Sequence, residues 1–201
     1  MITQKKVAFF LSRILGPLPL ICVLWLVTAV KSGIGFWKAI WVYPVIFLAS
    51  IAIPTALSLY LIATKHVTSI EWPKVSERRR FLIPVMLTGI TPLVFLAWAL
   101  TNSTIFHLSL VTAVIVAATI VIFTVFNYKI SLHMVIASGV FAGINLFFHQ
   151  QYLWLYLLLI PIAWARYVLK MHSFWQLLAG FVLVNSLILL SVLLFGYPAV
   201  P

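Results

Sequence analysis

Long apolar runs, separated by breaks too short to hold a domain, constrain this chain more than any other feature. The runs cover residues 7–30, 37–64, 81–100, 105–128, 130–148, 152–169 and 174–195. An apolar stretch of about 20 residues, coiled as an α-helix, matches the hydrocarbon thickness of a bilayer. Backbone groups in lipid must be paired within their own segment, and runs so continuous lack the alternation of barrel strands. The expected fold is therefore all-α, a polytopic transmembrane helical bundle of roughly six to seven spans. One membrane-embedded domain covers residues 1–201. Pro44, Pro54, Pro92 and Pro161 lie inside runs and predict kinks that neighbouring helices tolerate in lipid. In the fifth run, Ala137, Gly139, Ala142 and Gly143 form a small-residue stripe suited to close helix packing. Lys5 and Lys6 precede the first run, which continues to Val30 without a small-residue cleavage site, so an uncleaved anchor is expected.

Charge narrows the chemistry. Only 7% of the 201 residues are charged, with 13 Lys and Arg against 2 acids and a net charge of +11. A water-soluble surface on a chain of this size needs more charge than that. The acids are Glu71 and Glu77, which excludes paired-carboxylate hydrolysis and Asp-lined magnesium or calcium sites. Carboxylate proton relays are equally hard to build from two loop glutamates. Cys22 is the single cysteine, so disulfides and thiolate metal sites are out. Nucleic acid is not an expected partner, because the loops are too short to form a groove or a recognition helix. Any catalysis has to rest on His, Lys, Arg, Ser or Tyr.

If every run crosses, all Lys and Arg except Lys31 and Lys38 fall on the face that carries the 65–80 loop. The positive-inside rule makes that face cytoplasmic. Trp72, Trp164 and Trp175 sit near the same boundary, and Trp37, Trp41, Trp98 and Trp154 near the other, as an aromatic belt.

Three polar clusters converge on the basic face. The first is Lys74-Val75-Ser76-Glu77-Arg78-Arg79-Arg80, directly before the third run. The second is Lys129-Ile130-Ser131-Leu132-His133, between the fourth and fifth, and the third comprises Arg166, His172 and Gln176. Taken singly, the arginine triplet reads as a membrane-surface anchor, each histidine as interfacial and bonded to backbone, and Ser131 as a helix cap. Together they make an anion site, with Glu77 the one acid nearby. Phosphate is the obvious anion, since a histidine can attack phosphorus or pass a proton. His66, His107 and His149 read as interfacial only.

These clusters resemble the three signature motifs of the type 2 phosphatidic acid phosphatase superfamily, membrane enzymes related to vanadium haloperoxidases. The family patterns are Lys-x-x-x-x-x-x-Arg-Pro, Pro-Ser-Gly-His and Ser-Arg-x-x-x-x-x-His-x-x-x-Asp. Arg166, His172 and Gln176 keep the third spacing, with Gln in place of Asp. Ser131-Leu132-His133 is similar to the second, with Leu for Gly. The first is looser: Phe81 follows Arg80, and Lys74 is one position too close. A bacterial subgroup that this chain resembles also carries Lys before Ser-x-His and Gln in the Asp position. The resemblance covers about residues 65–180 and leaves the first two runs unplaced.

The resemblance implies a multi-pass phosphatase of a bacterial inner or plasma membrane, acting on a polyprenyl or glycerolipid phosphate or pyrophosphate without metal or cofactor. His172 would be the nucleophile and form a phosphohistidine. His133 would protonate the leaving alkoxide and then activate water. Arg80, Arg166, Lys129 and Ser131 would hold the phosphate oxygens, with Lys74 and Arg79 beside them. The implied partners are the phosphorylated lipid and the surrounding membrane lipids, and a second copy of the chain is left open. Gln176 would lie one helical turn beyond His172 on the same side. Its amide can accept the ring N–H but offers no countercharge; in serine hydrolases the comparable Asp-to-Asn change costs roughly 10⁴ in rate. A catalytically silent relative, binding anionic lipid or serving an assembly, is thus the second reading. A small transporter is the third, without a duplicated half or an intramembrane carboxylate to support it.

Overall fold

The computed structural model of the protein describes residues 2–31, 33–99 and 104–195, and every regular element among them is a helix. Among the described residues, four apolar helical stretches are long enough to cross a membrane: Thr3–Lys31, which is broken by an elbow at Gly16, Ile40–Ala63, Thr104–Val125 and Phe174–Leu194. Leu132–Phe147 and Leu153–Val168 are shorter apolar helices. These helices mark the chain as a membrane protein. The polar break at residues 101–103 lies outside the described residues.

The first run is two helices rather than one, α1 (Ile2–Ile14) and α2 (Pro17–Lys31). At the elbow a Cβ on Gly16 would sit 2.8 Å from the Ser12 carbonyl oxygen, too close for any other residue. Pro17 then opens α2, where its missing N–H would have lacked a helical partner anyway. The elbow sends α1 against α9 (Leu159–Val168) while α2 packs on α8 (Leu132–Phe147).

Among the described residues, two helices contain a π-helical turn, and each turn ends two residues before a proline. Leu48–Ala52 joins α3 (Phe36–Phe47) to α4 (Ile53–Ala63), which carries Pro54. Arg78–Leu82 joins the short α5 (Val75–Glu77) to α6 (Ile83–Ala99), which carries Pro84. A proline has no N–H to return to the residue four positions back, and a widened turn accommodates the gap. The third run therefore starts at Val75, inside what the apolar pattern marks as loop.

α8 is the centre of the molecule. It packs on α2, on α7 (Thr104–Val125) and on α10 (Phe174–Phe195), and nearly all its side chains are buried. The small-residue stripe makes this possible. A Cβ on Gly139 would run into the Val116 side chain, and one on Gly143 would meet Leu24 at 3.3 Å and Thr112 at 3.4 Å. Trp72 departs from the expected aromatic belt: it is buried in the core with Val67, Leu82 and Ile130.

Candidate active site

The site forms where the starts of α8 and α10 meet the end of α9. The Ser131 amide donates to the Gln176 carbonyl at 3.4 Å, and a Cβ on Gly180 would meet Met134 Cβ at 3.1 Å, so these two helix starts lie in contact. Ser131 occupies the N-cap position of α8 yet makes no side-chain capping bond. Its hydroxyl is fully buried and has no hydrogen-bond partner.

α9 delivers Arg166 in its last turn and then reverses through a Schellman closure. The Met171 amide donates to the Arg166 carbonyl at 3.1 Å and the Lys170 amide to Tyr167 at 2.9 Å, with Lys170 left-handed at φ 56°. That closure is the physical content of the spacing between Arg166 and His172: it carries the chain back so that both face one interior. His172 lies in the turn before α10 and is 7% exposed. The Gln176 amide oxygen lies 3.2 Å from His172 Nδ1 and also accepts the Ser173 amide at 3.1 Å. An oxygen that accepts from a backbone N–H can only accept from the ring as well. Nδ1 therefore carries the proton, and Nε2 keeps its lone pair.

Arg166 is 1% exposed and ties three separate stretches together. One terminal nitrogen donates to Ser12 Oγ at 2.9 Å, and the other makes an ion pair with Glu71 at 2.9 Å. Its Nε is buried without a partner. Ser12 Oγ lies 3.2 Å from His133 Nε2, and that nitrogen also donates to the Ser12 carbonyl at 3.2 Å. α1, α8 and α9 thus meet in one polar chain of His133, Ser12 and Arg166.

Within the arginine triplet it is Arg78 that turns inward. Arg78 is 1% exposed and donates from Nε to the Trp72 carbonyl and from a terminal nitrogen to the Ile130 carbonyl, both at 2.7 Å. It pins the 65–80 loop to the segment before α8. Arg79 and Arg80 are exposed, and the Arg80 guanidinium lies over the Phe81 ring, 5.2 Å from its centroid. Lys74 is exposed too and pairs with Glu77 at 3.4 Å. The expected phosphate contacts at Lys74, Arg79 and Arg80 are thus not where the sequence put them, and Arg78 holds the interior position. The π-helical turn is the reason: one extra residue in the turn shifts the phase between the triplet and the helix below it. Glu77 is likewise not the acid of the site, since it accepts from the amide and hydroxyl of Thr68. Glu71 is that acid.

The electrostatics are those of a cationic pocket short of anions. Burial, and then the positive charges of Arg166, Arg78 and Lys129, push the His172 imidazole down to about 3, so it is neutral at physiological pH. Burial, with the charges of Arg78 and Arg166, lowers the Lys129 ammonium below its ordinary range. For Glu71, burial raises the carboxyl, but the Arg166 hydrogen bond and the charges of Arg166, His133 and Arg13 outweigh it and leave it lowered.

The cluster therefore gathers His133, Lys129, Ser131, Arg166, His172 and Gln176 from the sequence expectation and adds Ser12, Glu71 and Arg78. Arg78 was legible only as one of three adjacent arginines. Ser12 had a faint signal, as a polar residue beside Arg13 within an apolar run, while Glu71 was legible only as one of the chain's two acids, with Glu77 the one read as nearby. No family model, curated protein or solved structure matches the chain.

Proposed function

We propose that the protein is a multi-pass membrane phosphatase of six to seven crossings that removes phosphate from a lipid phosphate or pyrophosphate. One observation carries the reading: His133 and His172 both lie within the field of a buried Arg166, beside unpartnered donors at Arg166 Nε and Ser131 Oγ. Buried donors without partners are costly, and a phosphate oxygen is a ligand that satisfies them. The free lone pair on His172 Nε2 attacks phosphorus, forming an N–P bond as the bond to the lipid oxygen breaks. His133, protonated when the phosphate dianion is bound beside it, gives that oxygen a proton and becomes neutral. Water then attacks the phosphohistidine while His133 takes its proton, and inorganic phosphate leaves with Nε2 restored. Arg166, Lys129, Arg78 and Ser131 offset the charge on the equatorial oxygens. The site opens to the cytoplasmic face of a bacterial inner or plasma membrane.

The test is phosphate release from phosphatidic acid, a polyprenyl phosphate and a polyprenyl pyrophosphate by the purified protein in chelator. Release that disappears in His172→Ala supports the reading, and absence of release from every lipid phosphate sinks it. Gln176 favours one competing reading, a silent relative that binds anionic lipid, because its amide orients His172 without supporting an imidazolium. That reading expects phosphate to bind without turnover.

A further inference from the structure

A cavity of about 550 Å³ runs from the polar cluster into the apolar interior. Its polar end is formed by Ser12, Arg13, Glu71 and His133. Its walls come from α2, α4, α6, α7 and α8, through side chains such as Leu24, Val85, Ala113, Ala117 and Val140. The two wall serines are turned away from an occupant: Ser50 donates to the Ile46 carbonyl and Ser58 to the Pro54 carbonyl, both at 2.7 Å. A cavity with walls this apolar favours an apolar occupant over water.

Position gives the occupant its identity. His133 lines the cavity mouth, whereas His172, Gln176 and Lys129 do not line the cavity. In phosphoryl transfer the attacking and leaving atoms lie roughly in line on opposite sides of phosphorus. With the phosphate between the two histidines and His172 attacking, the leaving oxygen and everything attached to it point toward His133. The cavity begins there. Its volume has room for roughly 18 methylene-sized groups at about 30 Å³ each, the space of one long chain and not of two.

We infer that this cavity seats the hydrocarbon chain of the substrate, and that the protein acts on single-chain lipid phosphates in preference to two-chain glycerolipid phosphates. The inference rests on the phosphatase reading above and adds the substrate class to it. The cavity sets a useful length: burial rewards each added methylene until the cavity is filled.

The experiment compares kcat/KM for short, medium and long alkyl monophosphates, a polyprenyl monophosphate and a two-chain phosphatidic acid. It uses the full chain and the wall variants Ala113→Phe and Thr55→Phe. In the unmodified protein kcat/KM should rise with chain length, level off near the length that fills the cavity, and be lower for phosphatidic acid. Each variant should lower the ratio of long-chain to short-chain kcat/KM by about tenfold or more, the effect of roughly two methylenes denied burial. An unchanged length profile in both variants, or a preference for phosphatidic acid, overturns the inference while leaving the phosphatase reading standing. No hydrolysis of any substrate removes both together. If the variants do not fold, a long alkyl phosphate tipped with a photoreactive diazirine decides the matter in the unmodified protein. Labelling of α4, α6 and α7 at the cavity wall is the expected result, and labelling confined to lipid-facing side chains contradicts it.

Discussion

His172 combines three properties that a phosphoryl acceptor needs: it is buried, neutral and oriented. With its imidazole pushed down to about 3 by burial and by Arg166, Arg78 and Lys129, the ring stays uncharged far below the ordinary value of 6.5. Because the folded value is the lower one, the unfolded chain binds the extra proton between the two. The His172 contribution to stability is thus complete above pH 6.5 and is lost as pH falls from 6.5 toward 3. Nitrogen-15 NMR of the ligand-free protein should show His172 neutral at pH 5. A transition near 6.5 would remove the case for a cationic pocket. Glu71 is the resident counterion of Arg166, so Glu71→Gln leaves a buried guanidinium without charge compensation. The variant should melt at a lower temperature than the parent and recover most of the loss in inorganic phosphate. Equal responses of variant and parent to phosphate would mean that the anion does not bind at Arg166. Gln176→Asp should raise kcat by about tenfold or more, because a carboxylate supports the imidazolium as well as orienting the ring. A lower kcat in that variant would favour the amide as an adapted partner.

At the scale of elements, placement depends on how helices begin and end. Lys170 is left-handed at φ 56° in the position of the α9 closure where glycine is most at ease. Lys170→Gly should therefore stabilise the protein by up to about 1 kcal/mol, seen as a higher melting temperature. The arginine triplet divides more sharply. Arg78→Ala removes two charged hydrogen bonds to backbone carbonyls and should cost about 3 kcal/mol, whereas Arg80→Ala should stay within about 0.5 kcal/mol. Equal costs would contradict the inward placement of Arg78. This is also where legibility fails. Regular helical periodicity cannot place a residue across a π-helical turn, and the turn at Arg78–Leu82 is visible in the sequence only through Pro84. The elbow between α1 and α2 has a similarly small signature, Gly16-Pro17 within a continuous apolar run.

For the molecule as a whole, the helical character and the approximate extent of the later runs were legible because lipid leaves a chain few options. Phe174–Phe195 coincides with its apolar run, and α7 begins one residue before its own. The convergence of Lys129, Ser131, His133, Arg166 and His172 was legible for a different reason, since these residues cluster at run boundaries on one expected face. Ser12 and Glu71 were not, because their roles come from long-range packing: Ser12 reaches Arg166 only after the elbow lays α1 against α9. The central claim is that these distant stretches assemble one pocket for phosphoryl transfer to His172. Rapid quench of the protein with a phosphorus-32-labelled lipid phosphate, followed by peptide mapping, tests it most directly. An acid-labile, base-stable label on the His172 peptide, absent in His172→Ala, is the expected result. A label on another residue, or phosphate release that persists in His172→Ala, would contradict it.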